Sequence, residues 1–357
     1  MHDHSRRAVL AGAIAAPLAA AVPAARAADG AQRAPSLPVT RTEEGQSVIY
    51  DAYTWQRREL TKKLPLNEAW PREVDIASVF KRFGLDAPPA FAPRALPVPA
   101  TILPDLYLVN SVPNLTYLID AGAAGLILID PGLESNVENI LKAVDALGFK
   151  RTAIRWVINT HAHFDHSMAD AHFQKLDAKL LVGRADAAAV EKGTEVTAKF
   201  ALGPAAAATY PTLKAVDWPV DDGETLRLGD KTLTAIATPG HTPGSTCYHL
   251  AIGGKNILFG GDTILFDYRL GAQVMAYADN VAYLASLKKL ARFYLTLGDR
   301  FRWDILLPGH GTMVLDRAWM DVVKGVRQVQ WDADTGAPIL ALPFADDDYR
   351  KLMFGRP

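Results

Sequence analysis

The run His161-Ala162-His163-Phe164-Asp165-His166 constrains this chain more than any other feature. It begins where an apolar stretch, Ile154 to Ile158, reads as a strand that stops. In an extended or turning backbone, positions two apart project to the same side, so His161 and His163 can grip one ion. Asp165 and His166 open a helical turn and can reach a second ion a few ångströms away. Neutral imidazoles with one carboxylate form the donor set that borderline zinc prefers. A fold carrying this run must therefore deliver a strand end to a polar cluster and bring more ligands to it from elsewhere in the chain.

Three later segments share the same local grammar. Thr238-Pro239-Gly240-His241-Thr242-Pro243-Gly244-Ser245 ends one strand, places one histidine on a turn and starts the next strand. His241 would complete a three-histidine site with the open fourth position that a catalytic zinc requires. Gly260-Gly261-Asp262-Thr263 puts a carboxylate at the end of an apolar strand. Leu307-Pro308-Gly309-His310-Gly311 puts a histidine on another strand-end turn, with glycines where the backbone must pass close to a metal. Of the other histidines, His172 reads as a surface residue and His249 as packing in a strand, with a supporting contact to the site as its alternative.

Other function classes are narrowed by charge and by the chain's start. Formal net charge is −1 with acids and bases dispersed, so there is no basic stripe to follow a phosphate backbone and nucleic acid is not an expected partner. Ser5-Arg6-Arg7 opens an Ala-rich apolar run, and Ala25-Arg26-Ala27 has the small-x-small pattern of a cleavage site. Residues 1–27 are thus expected to be a signal peptide of twin-arginine type, with an ordinary secretory signal as the alternative. The mature protein would work in the periplasm or be secreted. No segment is long and apolar enough to suggest a membrane span. The lone cysteine, Cys247, allows no internal disulfide and reads as strand packing.

Along the chain, residues 28–47 are polar and Pro/Ala-rich and read as a flexible leader. An aromatic segment with Trp55 and Trp70 follows, including an expected helix from Arg72 to Phe83, and a proline-rich connector spans Asp86 to Pro99. Together, residues 28–99 form an N-terminal extension, and its role is either to cover the catalytic part or to make a dimer. Residues 100–330 carry regular periodicity. Strands are expected at Leu106–Val109, Leu115–Ile119, Leu126–Asp130, Ile154–Ile158, Lys179–Val182, Leu226–Leu228, Thr232–Thr238, Ser245–Ile252, Asn256–Phe259 and Asp304–Leu307. Helices are expected after Val137, ended by Gly148; from an Asn280 cap to Gly298; and from about Leu315 to Gln328. Residues 331–357 are a C-terminal extension. Strand clusters interleaved with helices point to an α/β architecture, an αβ/βα sandwich of two sheets with helices outside.

The four motif segments, in this order, resemble the metallo-β-lactamase superfamily over roughly residues 102–330. The resemblance implies its four-layer αβ/βα sandwich and two Zn2+ ions. His161, His163 and His241 would hold the first, and Asp165, His166 and His310 the second, with Asp262 bridging them. Asp165 would also be catalytic, orienting a zinc-activated water whose pKa falls from about 15.7 to about 7. The segment around His241, the Asp222-Gly223-Glu224 turn and the spacing from Asp130-Pro131-Gly132 to His161 are similar to the third subclass of metallo-β-lactamases. Gly260-Gly261-Asp262 and Pro308-Gly309-His310-Gly311 are similar to the superfamily's lactonases and thioesterases. Where the first lactamase subclass has a substrate-binding lysine, this chain has Leu265. Tyr268 and Arg269 occupy positions where relatives contact substrate.

Three readings follow. The leading one is an exported dinuclear zinc hydrolase that opens β-lactam rings. Its alternative is a lactonase or thioesterase/esterase, and the last is an iron-dependent oxidoreductase on the same fold. The expected partner is a small molecule with a cyclic amide, ester or thioester, and the protein is expected to be a monomer or homodimer.

Overall fold

The computed structural model describes residues 36–42, 44–50, 95–213, 215–264 and 275–335. The expected helix at Arg72–Phe83, most of the proline-rich connector, the signal peptide, Leu265, Tyr268 and Arg269 lie outside them.

Fifteen strands form two sheets. Near the chain's start are β1 (Thr40–Arg41) and β2 (Ser47–Ile49). The seven-stranded sheet runs in chain order: β3 (Ala100–Leu103), β4 (Leu106–Asn110), β5 (Thr116–Asp120), β6 (Leu126–Ile129), β7 (Ile154–Asn159), β8 (Lys179–Gly183) and β9 (Trp218–Val220). From β3 to β6 its strands are antiparallel, and from β6 to β9 parallel. The second sheet has the order β1-β2-β15-β14-β13-β12-β11-β10. Its later strands are β10 (Thr225–Leu228), β11 (Lys231–Ala237), β12 (Thr246–Ile252), β13 (Lys255–Gly261), β14 (Ile305–Pro308) and β15 (Met313–Val314). Only β13 and β14 pair in parallel there.

The apolar runs make this arrangement necessary. On β4, Leu106 and Leu108 face the space between the sheets while Tyr107 and Val109 face outward, and all four are buried. Strand β6 divides the same way, Ile127 and Ile129 inward, Leu126 and Leu128 outward. In β13, Ile257 and Phe259 point inward and Leu258 outward. A strand apolar on both faces needs cover on both, so each sheet packs on the other and carries helices on its back. Between the sheets, Tyr117 of β5 meets Phe259 of β13 edge-on at 5.6 Å. Behind the first sheet lies α1 (Val137–Ala146), seated through Val137, Ile140, Leu141 and Val144. Short helices α2 (Phe164–Ser167) and α3 (Asp170–Lys175) follow β7, and α4 (Arg184–Lys192) follows β8. Behind the second sheet lie α5 (Asn280–Ala291), through Tyr283, Leu287 and Leu290, and α6 (Trp319–Thr335), through Val322 and Val329. The result is the expected four-layer αβ/βα sandwich.

Several boundaries differ from the sequence reading. Residues 40–47 are not wholly a loose leader: Thr40 pairs with Val48, and Val48 with Val314 of β15, so the segment lengthens the second sheet. The cap of α5 is Asp279 rather than Asn280; its carboxylate accepts from the backbone N–H groups of Val281 and Ala282. That helix ends at Ala291, and Gly298 closes a separate turn, Tyr294–Leu297. The last helix starts at Trp319 rather than Leu315, because Met313 and Val314 are drawn into the sheet and Arg317 turns the chain with φ of 53°. Among the described residues no helix is long and apolar enough to cross a membrane.

Candidate metal centre

All seven sequence-predicted residues meet at one edge of the sandwich, at the C-terminal ends of strands. Thr160 to His163 continue β7 into α2, and His241 sits on the turn between β11 and β12. Asp262 follows β13, and His310 follows β14. Five of the seven are buried; Asp262 and His310 are partly open, with side chains 12% and 18% exposed.

The donors sort into two groups of three, His161/His163/His241 and Asp165/His166/His310, whose ligand atoms each lie within 4.8 Å of one another. In the first group His241 Nε2 approaches His163 Nδ1 at 3.0 Å, and the His161 ring lies 4.6 Å and 4.8 Å from the other two, centroid to centroid. In the second, His310 Nε2 is 3.0 Å from Asp165 Oδ2 and 3.2 Å from His166 Nε2. Asp262 stands between them. Its Oδ1 is 3.4 Å from His166 Nε2, and its Oδ2 is 3.8 Å from His241 Nε2 and 3.9 Å from His310 Nε2. With His161 and His166 it makes a third possible ligand group that straddles the other two.

In His161, His163, His166 and His310 the nitrogen turned away from the cluster is held from behind, which selects the nitrogen presented to it. His161 Nδ1 meets Thr160 Oγ1 at 3.1 Å, and His163 Nε2 meets the Tyr277 hydroxyl at 2.9 Å. His166 Nδ1 faces Asp130 Oδ2 at 3.0 Å, and His310 Nδ1 donates to the carbonyl oxygen of Pro113 at 3.0 Å. Asp130, at the end of β6, also accepts from the backbone N–H and the hydroxyl of Thr160.

Electrostatics separate the two groups. Burial pushes His163 down to about 3 and His161 well below its ordinary value, with neighbouring imidazoles adding to the effect. Burial acts on His166 and His310 too, but Asp262 and Asp165, with Asp130 added at His166, outweigh it and raise both. Burial would raise Asp165 and Asp262, but His166 and His310 hold both well below the usual carboxylate range.

The donors fit a metal pair. His161 Nε2 is buried with no hydrogen-bond partner, a costly state for an imidazole unless the nitrogen is a ligand. The nitrogens of His163 and His241 converge at 3.0 Å, as donors to a shared cation do.

Glycines make the approach possible at two points. A Cβ on Gly309 would lie 2.4 Å from His166 Cε1 and 2.7 Å from Asp262 Oδ1. One on Gly240 would lie 2.5 Å from Cα of Tyr283, where α5 presses on the His241 turn. Ser286 of that helix donates to the carbonyl of Pro239 at 2.8 Å, and the Tyr283 hydroxyl donates to that of Thr263. One helix thus steadies the turns carrying both His241 and Asp262.

His172 lies outside the cluster, half-exposed on α3 beside Phe173. His249 also takes no part; it sits among Phe293, Phe301 and Trp303 with Nε2 against Asn256 Oδ1. Cys247 is buried, its thiol pushed up to about 11 by burial. The sequence reading missed the supporting contacts of Asp130 and Tyr277. Asp130 had a signal, a carboxylate ending an apolar strand just as Asp262 does; Tyr277 had none.

Fold and site together define a metal-dependent hydrolase class. A family model described as the metallo-β-lactamase superfamily matches residues 110–293. The chain belongs to that superfamily. It is 31% identical over 186 residues to a probable metallo-hydrolase of Methanocaldococcus jannaschii, covering 52% of this chain and 82% of the relative. It is 31% identical over 172 residues to an acyl-coenzyme A thioesterase of Gallus gallus, covering 44% of this chain and 56% of that protein. The chain therefore spans little more than half the length of the thioesterase it matches. Among solved structures, a metallo-β-lactamase of Cronobacter sakazakii aligns with a TM-score of 0.53 at 25% identity, covering 67% of this chain and 93% of that one.

Proposed function

We propose that this chain is a dinuclear zinc hydrolase of activated acyl bonds, a thioesterase or lactonase. The observation that carries this reading is the position of Asp262 between the two ligand groups. When bound, the zinc pair supplies a polarised carbonyl and a water acidic enough to ionise near neutral pH. Asp262 adds a carboxylate to both ligand groups and lowers the net charge there, which weakens electrophilic assistance. Esters and thioesters leave with less assistance than an amide nitrogen, so a site tuned this way suits them. Asp165 would orient the attacking water by accepting a hydrogen bond at its carboxylate, which converges with His166 and His310 in one ligand group. Asp130 and Pro113 hold His166 and His310 in the tautomers that leave both Nε2 atoms for ligation. The similarity to a thioesterase supports the substrate class.

A second reading, β-lactam opening, is favoured by the likeness to the Cronobacter metallo-β-lactamase. The twin-arginine-like start supports export to the periplasm in either case. Purified protein assayed against an acyl-coenzyme A, a homoserine lactone and a penicillin, as wild type and Asp262→Ser, separates the two. The first reading expects thioester or lactone turnover, and Asp262→Ser then loses that turnover and retains one zinc poorly. Penicillin turnover that survives Asp262→Ser with both zinc ions in place would reverse the assignment.

A further inference from the structure

The three-histidine group is assembled from both halves of the sandwich. His161 and His163 leave β7 of one sheet, and His241 joins β11 to β12 of the other. Metal affinity depends on holding those donors in register; Thr246 N–H donates to the Thr160 carbonyl and Tyr248 Oη to that of Asn159, and the Asp186 side chain reaches both histidine-bearing loops themselves. Asp186, in the first turn of α4, is fully buried, and its hydrogen bonds go to the loops beside the ligands. Its Oδ2 accepts from the backbone N–H of Ala162 at 2.9 Å, the residue between His161 and His163. The same oxygen accepts from Thr242 Oγ1 at 2.7 Å, the residue after His241. Its Oδ1 accepts from the backbone N–H of Gly244 at 2.7 Å, two residues further along that turn.

We propose that Asp186 is a positioning residue that clasps the two histidine-bearing loops and thereby sets the metal affinity of the His161/His163/His241 group. The proposal rests on reading the cluster as a metal centre. Packing around the clasp leaves no room for a substitute. A Cβ on Gly244 would lie 2.3 Å from Asp186 N, and one on Gly183 would lie 2.1 Å from the Gly244 carbonyl oxygen. The Thr242 hydroxyl also lies 2.7 Å from Ser245 Oγ, so the turn after His241 is a closed network with Asp186 as its anchor. By contrast, the bonds that orient His166 and His310 run to Asp130 and Pro113 and bypass Asp186. The clasp therefore acts on one metal position and not on the other.

Both carboxylate oxygens accept, so Asp186→Asn turns an amide NH2 against at least one donor in either orientation. The test isolates each metal position. Of the two main groups, a His310→Ala background leaves the three-histidine one intact and a His241→Ala background the Asp165 one. Zinc affinity of folded protein is then measured by chelator competition, after the unsubstituted chain has been titrated. The proposal expects Asp186→Asn to weaken zinc about tenfold or more in the first background, and to leave it within about twofold in the second. Thr242→Val removes a single arm of the clasp, and should show the same selectivity with a smaller effect; it decides the matter if Asp186→Asn does not fold. Equal weakening in both backgrounds, or none in either, overturns the proposal while leaving the metal centre intact. An unsubstituted chain that binds no zinc would instead overturn the reading of the centre itself.

Discussion

The two ligand groups lie side by side yet differ in how they are prepared for a cation. His161, His163 and His241 are almost wholly buried, and the first two are stripped of protons by that burial. Asp165, His166 and His310 sit among carboxylates, and their histidines hold protons more tightly than free imidazole does. Burial alone would have made the groups alike; the acids make the difference. His161 and His163 are ready-made neutral ligands, whereas the second group is an ion-pair network that a metal must enter by displacing protons.

The comparison breaks most visibly at Asp165. Replacing it with alanine removes one of the three donors of the second group and the carboxylate 3.0 Å from His310 Nε2. Turnover should fall about 10²- to 10⁴-fold, the range that a positioned acid–base group commands. Elemental analysis should find the first metal kept and the second lost. Retention of both metals at near-normal turnover would show that the two groups are not divided as the geometry divides them.

A subtler effect is expected in pH. The raised values of His166 and His310 mean that both carry protons in the metal-free protein at mildly acid pH. Affinity at the second group should then climb as pH rises through those values, by about tenfold per pH unit for each proton displaced. His161 and His163 are pushed down and have already lost their protons throughout that window, so affinity at the first group should climb less steeply than at the second. Zinc titrations from roughly pH 5.5 to about pH 8 read this directly, since ligand deprotonation sets the slope. Parallel slopes for the two metals would remove the electrostatic distinction.

What was legible in the sequence follows the same physics. Each ligand segment begins where an apolar run stops, in the His-rich run itself at His161 and in a Gly-bearing turn at His241, Asp262 and His310, and that signature is local, so the four stood out one by one. The central strands were legible because burial on both faces forces uninterrupted apolar runs, as in Leu126–Ile129. The short strands β1, β2 and β3 were not, because a strand of two to four residues exists through its partner rather than its own pattern. Asp186 was invisible for a related reason. Its donors, Ala162, Thr242 and Gly244, are 24 to 58 residues away, and nothing near Asp186 in the chain marks a carboxylate that will be buried. The start of α5 shows a smaller confusion of this kind: Asp279 and Asn280 are both good caps, and only the extended backbone of Asp279 chooses between them.

The smallest expected effect tests whether the cluster's edge is drawn correctly. His172 is six residues past His166, on a helix that carries no ligand, and its ring is occupied by the edge of Phe173 rather than by a donor. Half-exposed, it can lose its imidazole without opening a cavity in the core, so His172→Ala should shift stability by no more than about 0.5 kcal/mol. Zinc content and turnover should match the unsubstituted protein. The neighbouring contrast is Phe173, which is fully buried against the back of the first sheet, so an effect transmitted through packing would arise there and not at His172. A drop in metal content in His172→Ala comparable to that in His241→Ala would mean that the second ligand group reaches further along α3 than the side-chain distances allow, and that the division between the two groups is misplaced.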